Sequence, residues 1–287
     1  KRVFTMKAKA MNACIVFAEE LKSCTNVRYA PYDTLKESRV ELQELLEEEI
    51  KLQQIQELPM KMMQFVSLIN PTDAIHAIDR IIDKRKDAIL IHNSSFMTGL
   101  YYELSGLCQT ENCLTILAAL EILKNRGYEI SKKDYHTGFS DVCEMTGLMG
   151  RWQKLQSYPD VICDTGHNAD GFKCIRQQLN YIHNKLNQEL HIVFGMVNDK
   201  DISSVLELLP KDATYYFTKA SVKRALPEDE LMKMASEAGL KGTSYPTVAD
   251  AVRAAKENCP PKDFIFVGGS NFIVADLLAN RDTLNLY

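Results

Sequence analysis

Cys163, Asp164 and His167 place a thiol, a carboxylate and an imidazole within five residues of one another, in the stretch VICDTGHNADGF (161–172). Three chemistries use such a set: metal binding, a nucleophile with its base, or a loop that handles phosphate. A zinc site needs three or four ligands in range, and only Cys163 and His167 offer themselves nearby. A cysteine nucleophile must be exposed, whereas Cys163 alternates into a buried strand. Asp164 and His167 remain. Asp164 ends an apolar run, where it can orient a ligand amine or hydroxyl or hold a metal-bound water. His167 can donate to a phosphate or a carboxylate. A lone loop histidine is also commonly structural, and Asp170 is expected to cap the helix that follows.

Two further stretches share this character. Gly195–Asp201 (GMVNDKD) and Gly268–Asn271 (GGSN) each follow an apolar run and precede a helical pattern. Helix N-termini carry free N–H groups that attract anions. Gly268-Gly269 can equally be a plain tight turn. Arg151, beside the only Trp of the chain, Trp152, has two readings. It stacks on the indole, or it aims a guanidinium fork at a phosphate across a cleft.

These loops need a scaffold that brings strand ends together. From about residue 150 the pattern is regular. Strands over 161–164, 190–195, 213–218, 243–245 and 264–267 alternate with helices over 170–182, 201–209, 227–238, 248–258 and 271–279. Short strands alternating with helices specify βαβ units, and right-handed crossovers give a doubly wound, mostly parallel sheet. Ligands of such sheets bind at the carboxyl ends of the strands. The three loops are therefore expected on one edge.

The first half reads differently. A helix over 3–11, a strand over 14–18, a long amphipathic helix over 35–58 stopped by Pro59, and a helix opened by Asn70-Pro71 are expected. A short strand over 88–92 and a helix over 111–126, ended by Gly127, follow. The 35–58 pattern admits a solvated helix or a short coiled-coil surface.

With 287 residues, 46% hydrophobic and 25% charged, the chain has a globular composition. A net charge of −4 gives no bulk attraction for nucleic acid. No apolar run reaches the roughly 20 residues of a membrane span. Eight scattered cysteines without a CxxC pair suggest reduced thiols and a cytoplasmic setting.

The segment GLMGRWQKLQSYPDVICDTGHNADGF resembles the start of the C-terminal domain of folylpolyglutamate synthase/dihydrofolate synthase, within the Mur ligase superfamily. The matching motifs are Gly150-Arg151-Trp152 and Asp164-Thr165-Gly166-His167-Asn168. Further matches are Gly195 with Asp199-Lys200-Asp201, Gly269-Ser270, and upstream Gln109 with Asn112. The resemblance covers about residues 100–280, with a weaker piece at 1–20. It implies a C-terminal Rossmann-like domain over 146–287. Residues 1–145 would be the helix-rich end of a central ATPase domain, with a helical insertion at about 22–95.

The implied activity joins L-glutamate to a folate or dihydropteroate carboxylate through an acyl phosphate, using ATP and Mg²⁺. By similarity, Asn112 contacts the adenine, and Arg151 reaches the nucleotide phosphates. Asp164 binds ribose or helps place glutamate, while His167 and Ser270 line the glutamate site. The catalytic pair is Asp164 and His167. The partners are these small molecules, with no nucleic acid and no membrane, and a monomer is expected.

The family's phosphate-binding loop and magnesium ligands have no match in this sequence. They are expected upstream of Lys1, so the chain is read as a fragment without ligase activity alone. Two other readings stand beside this one. One is a non-catalytic α/β module whose 35–85 helices bind a partner. The other is a Mur-type ligase of peptidoglycan precursors.

Overall fold

A computed structural model describes residues 25–30, 39–40, 43, 88–93, 97–198 and 200–286. The helices expected over 3–11 and 70–82, the strand over 14–18, nearly all of the helix over 35–58, and Asp199 lie outside the described residues. The chain divides into two compact units, 1–105 with 109–147, and 106–108 with 148–287.

In the first unit, β1 (Thr25–Ala30), β2 (Ala88–Asn93) and β3 (Met97–Tyr102) form an antiparallel sheet in that order. Only β2 was legible as a strand; mainly helices were expected here. Helix α1 (Gln109–Asn125) buries Cys113, Leu117 and Ala118, and Gly127 follows in the left-handed region at φ 92°. Helices α2 (Lys132–Ser140) and α3 (Val142–Thr146) complete the described part.

The second unit is built on six strands: β4 (Gln153–Gln156), β5 (Asp160–Asp164), β6 (Leu190–Phe194), β7 (Thr214–Thr218), β8 (Lys241–Tyr245) and β9 (Phe264–Gly268). Their order is β4-β5-β9-β6-β7-β8. Every pairing is parallel except the β4–β5 hairpin. The linking helices are α4 (Ala169–Leu186), α5 (Ile202–Leu206), α6 (Glu228–Glu237), α7 (Val248–Asn258) and α8 (Asn271–Ala279).

Side chains alternate across the pleat, so each strand feeds two cores. Ile162, Ile192, Phe194, Tyr215, Phe217, Phe264 and Phe266 meet α4, α5 and α6 on one face. Val161, Cys163, Val193, Tyr216, Ile265 and Val267 meet α7 and α8 on the other. Cys163 is fully buried, and burial drives its thiol well above the usual range. It is a core residue.

This layering fixes where the sheet opens. The chain leaves β5 and β6 toward one face and leaves β9, which lies between them, toward the other. Adjacent strands whose exits diverge leave a crevice at their carboxyl ends. Asp164 and Phe194 both lie level with Gly268 there.

Close approach at this edge depends on Gly269, held at φ 106°. A Cβ added there would lie 2.4 Å from the Gly195 carbonyl oxygen, and backbone cannot yield as a side chain can. We predict that Gly269→Ala lowers stability in urea unfolding by about 2–4 kcal/mol. An unchanged midpoint would show that the β6 and β9 ends are not clamped.

Candidate functional site

The crown of the site is a short loop wrapped over the end of β5. Gly150 at φ 74° and Trp152 at φ 47° both take left-handed backbone. Such a conformation strains a residue with a side chain. Three bonds hold it. Gly150 N–H donates to Gln153 Oε1 at 2.7 Å. Thr165 N–H donates to the Gly150 carbonyl at 2.9 Å. Trp152 N–H donates to Asp164 Oδ2 at 2.8 Å.

The indole of Trp152 turns inward, stacked on Phe264 with ring centroids 6.4 Å apart and tilted over Phe266 at 5.8 Å. Arg151 is left exposed between these two left-handed residues. Of its two readings, stacking on Trp152 gives way, because the indole is spent on the core. The guanidinium instead donates from Nη1 to Thr165 Oγ1 at 2.8 Å.

Asp164 is 5% exposed. Its second oxygen, Oδ1, accepts from Gly166 N–H at 2.7 Å. Burial raises this carboxyl above its ordinary range. The bonds from Gly166 and Trp152, and the nearby Arg151 charge, pull it back toward the ionised form. The net shift is upward, so the folded state holds this proton more tightly than the unfolded chain. This group's contribution to stability therefore falls as pH rises from the ordinary aspartate value of about 3.9 through its folded value.

His167 is half-buried, with Nδ1 at 3.1 Å from the Thr165 carbonyl oxygen. A carbonyl can only accept, so Nδ1 carries the proton, and neutral His167 offers its Nε2 lone pair. Asn168, not Asp170, caps α4: its side chain accepts from Gly171 N–H at 2.8 Å. Asp170 falls in the first turn, exposed and bonded to Lys173 at 2.8 Å. An acid there still suits the helix dipole.

Ser270 is 2% exposed and caps α8, accepting from Ile273 N–H at 3.2 Å. A capping hydroxyl keeps its own hydrogen to donate. Asp201 caps α5 through Ser204 N–H. The strand register thus brings Asp164, Thr165, His167, Gly195 and Ser270 to one edge. Asn112 belongs to the other unit, where its Nδ2 donates to Gln109 Oε1 at 2.9 Å within one turn of α1. Thr165 was not singled out from sequence. Its position between a site Asp and a site His, one residue after Asp164 and two before His167, was the available signal.

The edge offers a surface guanidinium, an imidazole and a capped helix N-terminus, which suit phosphate and carboxylate ligands. Among the described residues, no three His, Cys, Asp or Glu side chains gather as a metal cage. No helix among the described residues is long and apolar enough to cross a membrane.

Residues 150–271 match the glutamate ligase domain of Mur ligases. The chain is 28% identical over 171 residues to a dihydrofolate synthase/folylpolyglutamate synthase of Buchnera aphidicola subsp. Schizaphis graminum, covering 59% of this chain and 39% of that protein. It is 26% identical over 224 residues to a UDP-N-acetylmuramoyl-L-alanyl-D-glutamate–2,6-diaminopimelate ligase of Buchnera aphidicola subsp. Baizongia pistaciae, covering 74% of this chain and 42% of that protein. Among solved structures, E. coli FolC in complex with DHPP and ADP superposes with a TM-score of 0.57 at 25% identity, over 70% of this chain and 44% of that one. The chain spans about two fifths of the length of the first of these relatives.

Asp164→Asn weighs the two effects at this carboxylate against each other. The change removes a buried charge, but an amide has one acceptor oxygen for two N–H donors. We predict that the lost acceptor wins, costing about 1–3 kcal/mol at pH 7 in urea unfolding. Equal or higher stability would mean that charge burial dominates.

Proposed function

We propose that this chain, whose residues 150–271 match the glutamate ligase domain of Mur ligases, is the C-terminal part of an ATP-dependent folate–glutamate ligase. The observation that carries the reading is the edge itself. A surface arginine and a half-buried histidine are both fastened to Thr165, at the switch point of a sheet that matches a glutamate ligase domain. The folate branch is favoured over the cell-wall branch by Gly150-Arg151-Trp152 and Asp164-Thr165-Gly166-His167-Asn168. The structural match to E. coli FolC in complex with DHPP and ADP supports the same branch.

In this proposal ATP supplies the phosphoryl group that converts a substrate carboxylate into an acyl phosphate. Arg151 faces the nucleotide phosphates, where guanidinium N–H donors offset the negative charge that gathers during transfer. Asn112 keeps its carbonyl oxygen for the adenine amine. Asp164 holds the Arg151 loop and the Gly166 turn in place. This positioning role is more direct than the ribose contact expected from sequence, because both its oxygens already serve backbone N–H groups.

His167 presents Nε2 to L-glutamate, and the Ser270 hydroxyl donates to a glutamate carboxylate. Neutral His167 can accept a proton from the incoming ammonium, freeing the amine for attack on the acyl phosphate. The amide forms as the carbon–oxygen bond to phosphate breaks. The phosphate loop and magnesium ligands belong, in this proposal, to the remainder of the whole protein, which works as a monomer in the cytoplasm.

The test uses the whole protein with ATP, L-glutamate and either dihydropteroate or a reduced folate. Glutamate-dependent ADP release with one of the pterin substrates is expected; none with either sinks the proposal. His167→Ala should raise the glutamate KM about tenfold or more while moving the ATP KM less than twofold. Unchanged glutamate kinetics would remove His167 from that role.

A further inference from the structure

We infer that Thr165 is a positioning residue, whose hydroxyl sets the guanidinium of Arg151 for its anionic ligand. The inference rests on the nucleotide-phosphate role proposed for Arg151, and it adds a residue to which no role has been given.

Thr165 sits at the centre of the edge. Its N–H donates to the Gly150 carbonyl at 2.9 Å. Its carbonyl accepts from His167 Nδ1 at 3.1 Å. Its Oγ1 accepts from Arg151 Nη1 at 2.8 Å. The residue is 9% exposed, so water competes little for that hydroxyl. Its Cγ2 methyl lies beside Gly150, where an added Cβ would come within 2.8 Å of it.

An exposed arginine ordinarily samples many rotamers and loses that freedom on binding, at a cost to affinity. One bond to a buried hydroxyl removes part of that freedom in advance. A guanidinium has five N–H donors. The Thr165 bond uses one and leaves four to serve a ligand. Thr165 thus ties the nucleotide side of the edge to the His167 side through a single residue.

Two substitutions separate the parts of this side chain. Thr165→Val keeps the shape and removes the hydroxyl. Thr165→Ser keeps the hydroxyl and removes the methyl. In the whole protein, ADP binding measured by calorimetry should weaken about tenfold in Thr165→Val, the scale of a hydrogen bond to a charged group. It should stay within about twofold of wild type in Thr165→Ser. In an Arg151→Ala background, Thr165→Val should add nothing further. The glutamate KM should not follow the ADP affinity.

Unchanged ADP affinity in Thr165→Val overturns the inference. So does an equal loss in the Arg151→Ala background, which would mark a structural role alone. A ligand-free readout separates this failure from that of the proposed function. The Arg151 Nε–H heteronuclear NOE should be high in wild type and Thr165→Ser and should drop in Thr165→Val. If wild type binds no ADP, the nucleotide role falls and the inference falls with it. If ADP binds and the NOE does not change, the Thr165 role alone falls.

Discussion

One buried carboxylate holds the site together. Asp164 gives one oxygen to Trp152 N–H and the other to Gly166 N–H, joining the loop before the β4–β5 hairpin to the turn after it. Burying a charge is costly, and the upward shift of this carboxyl records the cost. Two charge-assisted bonds offset much of it. What they secure is a loop with left-handed backbone on both sides of Arg151. Without that anchor Trp152 N–H would lose its partner, leaving the Arg151 loop to the Gly150 bonds and the indole packing.

Sheet order supplies the other constraint. Because β9 lies between β5 and β6 and sends its helix to the opposite face, the edge opens where Asp164, Gly195 and Gly268 lie level. The aromatic stack of Trp152 on Phe264 and Phe266 fastens the Arg151 loop to that central strand. Core packing and site geometry are thus consequences of the same strand. A fault in β9 should disturb both.

Much of the second unit was legible because its strands are short, apolar and evenly separated by amphipathic helices. The bounds of the helix over 248–258 agree with Val248–Asn258, where Thr247 caps the first turn by accepting from Asp250 N–H. The α4 cap was misread for a definable reason. Asn168 and Asp170 are both good caps, and only backbone geometry decides which side chain meets the N–H three residues on. The direction of Trp152 was equally hidden, since a left-handed residue reverses the side that periodicity predicts. Strand β1 was missed because it takes its partner from far along the chain, Thr25 pairing with Asn93; β3 pairs with the adjacent β2, but Thr98-Gly99 breaks its apolar run. The Thr165 hydroxyl escaped notice because threonine announces no chemistry until a buried site gives it a partner.

Hydrogen–deuterium exchange on the whole protein, with and without ATP and L-glutamate, tests the central claim most directly. Protection is expected at 150–152, 164–171, 195–198, 200–201 and 268–273, the loops at the carboxyl edge of the sheet. Residues 189–191, 241–243 and 260–264, at the opposite edge, should not respond. Protection confined to that opposite edge, or none at the carboxyl edge, would show that these loops do not form the ligand site.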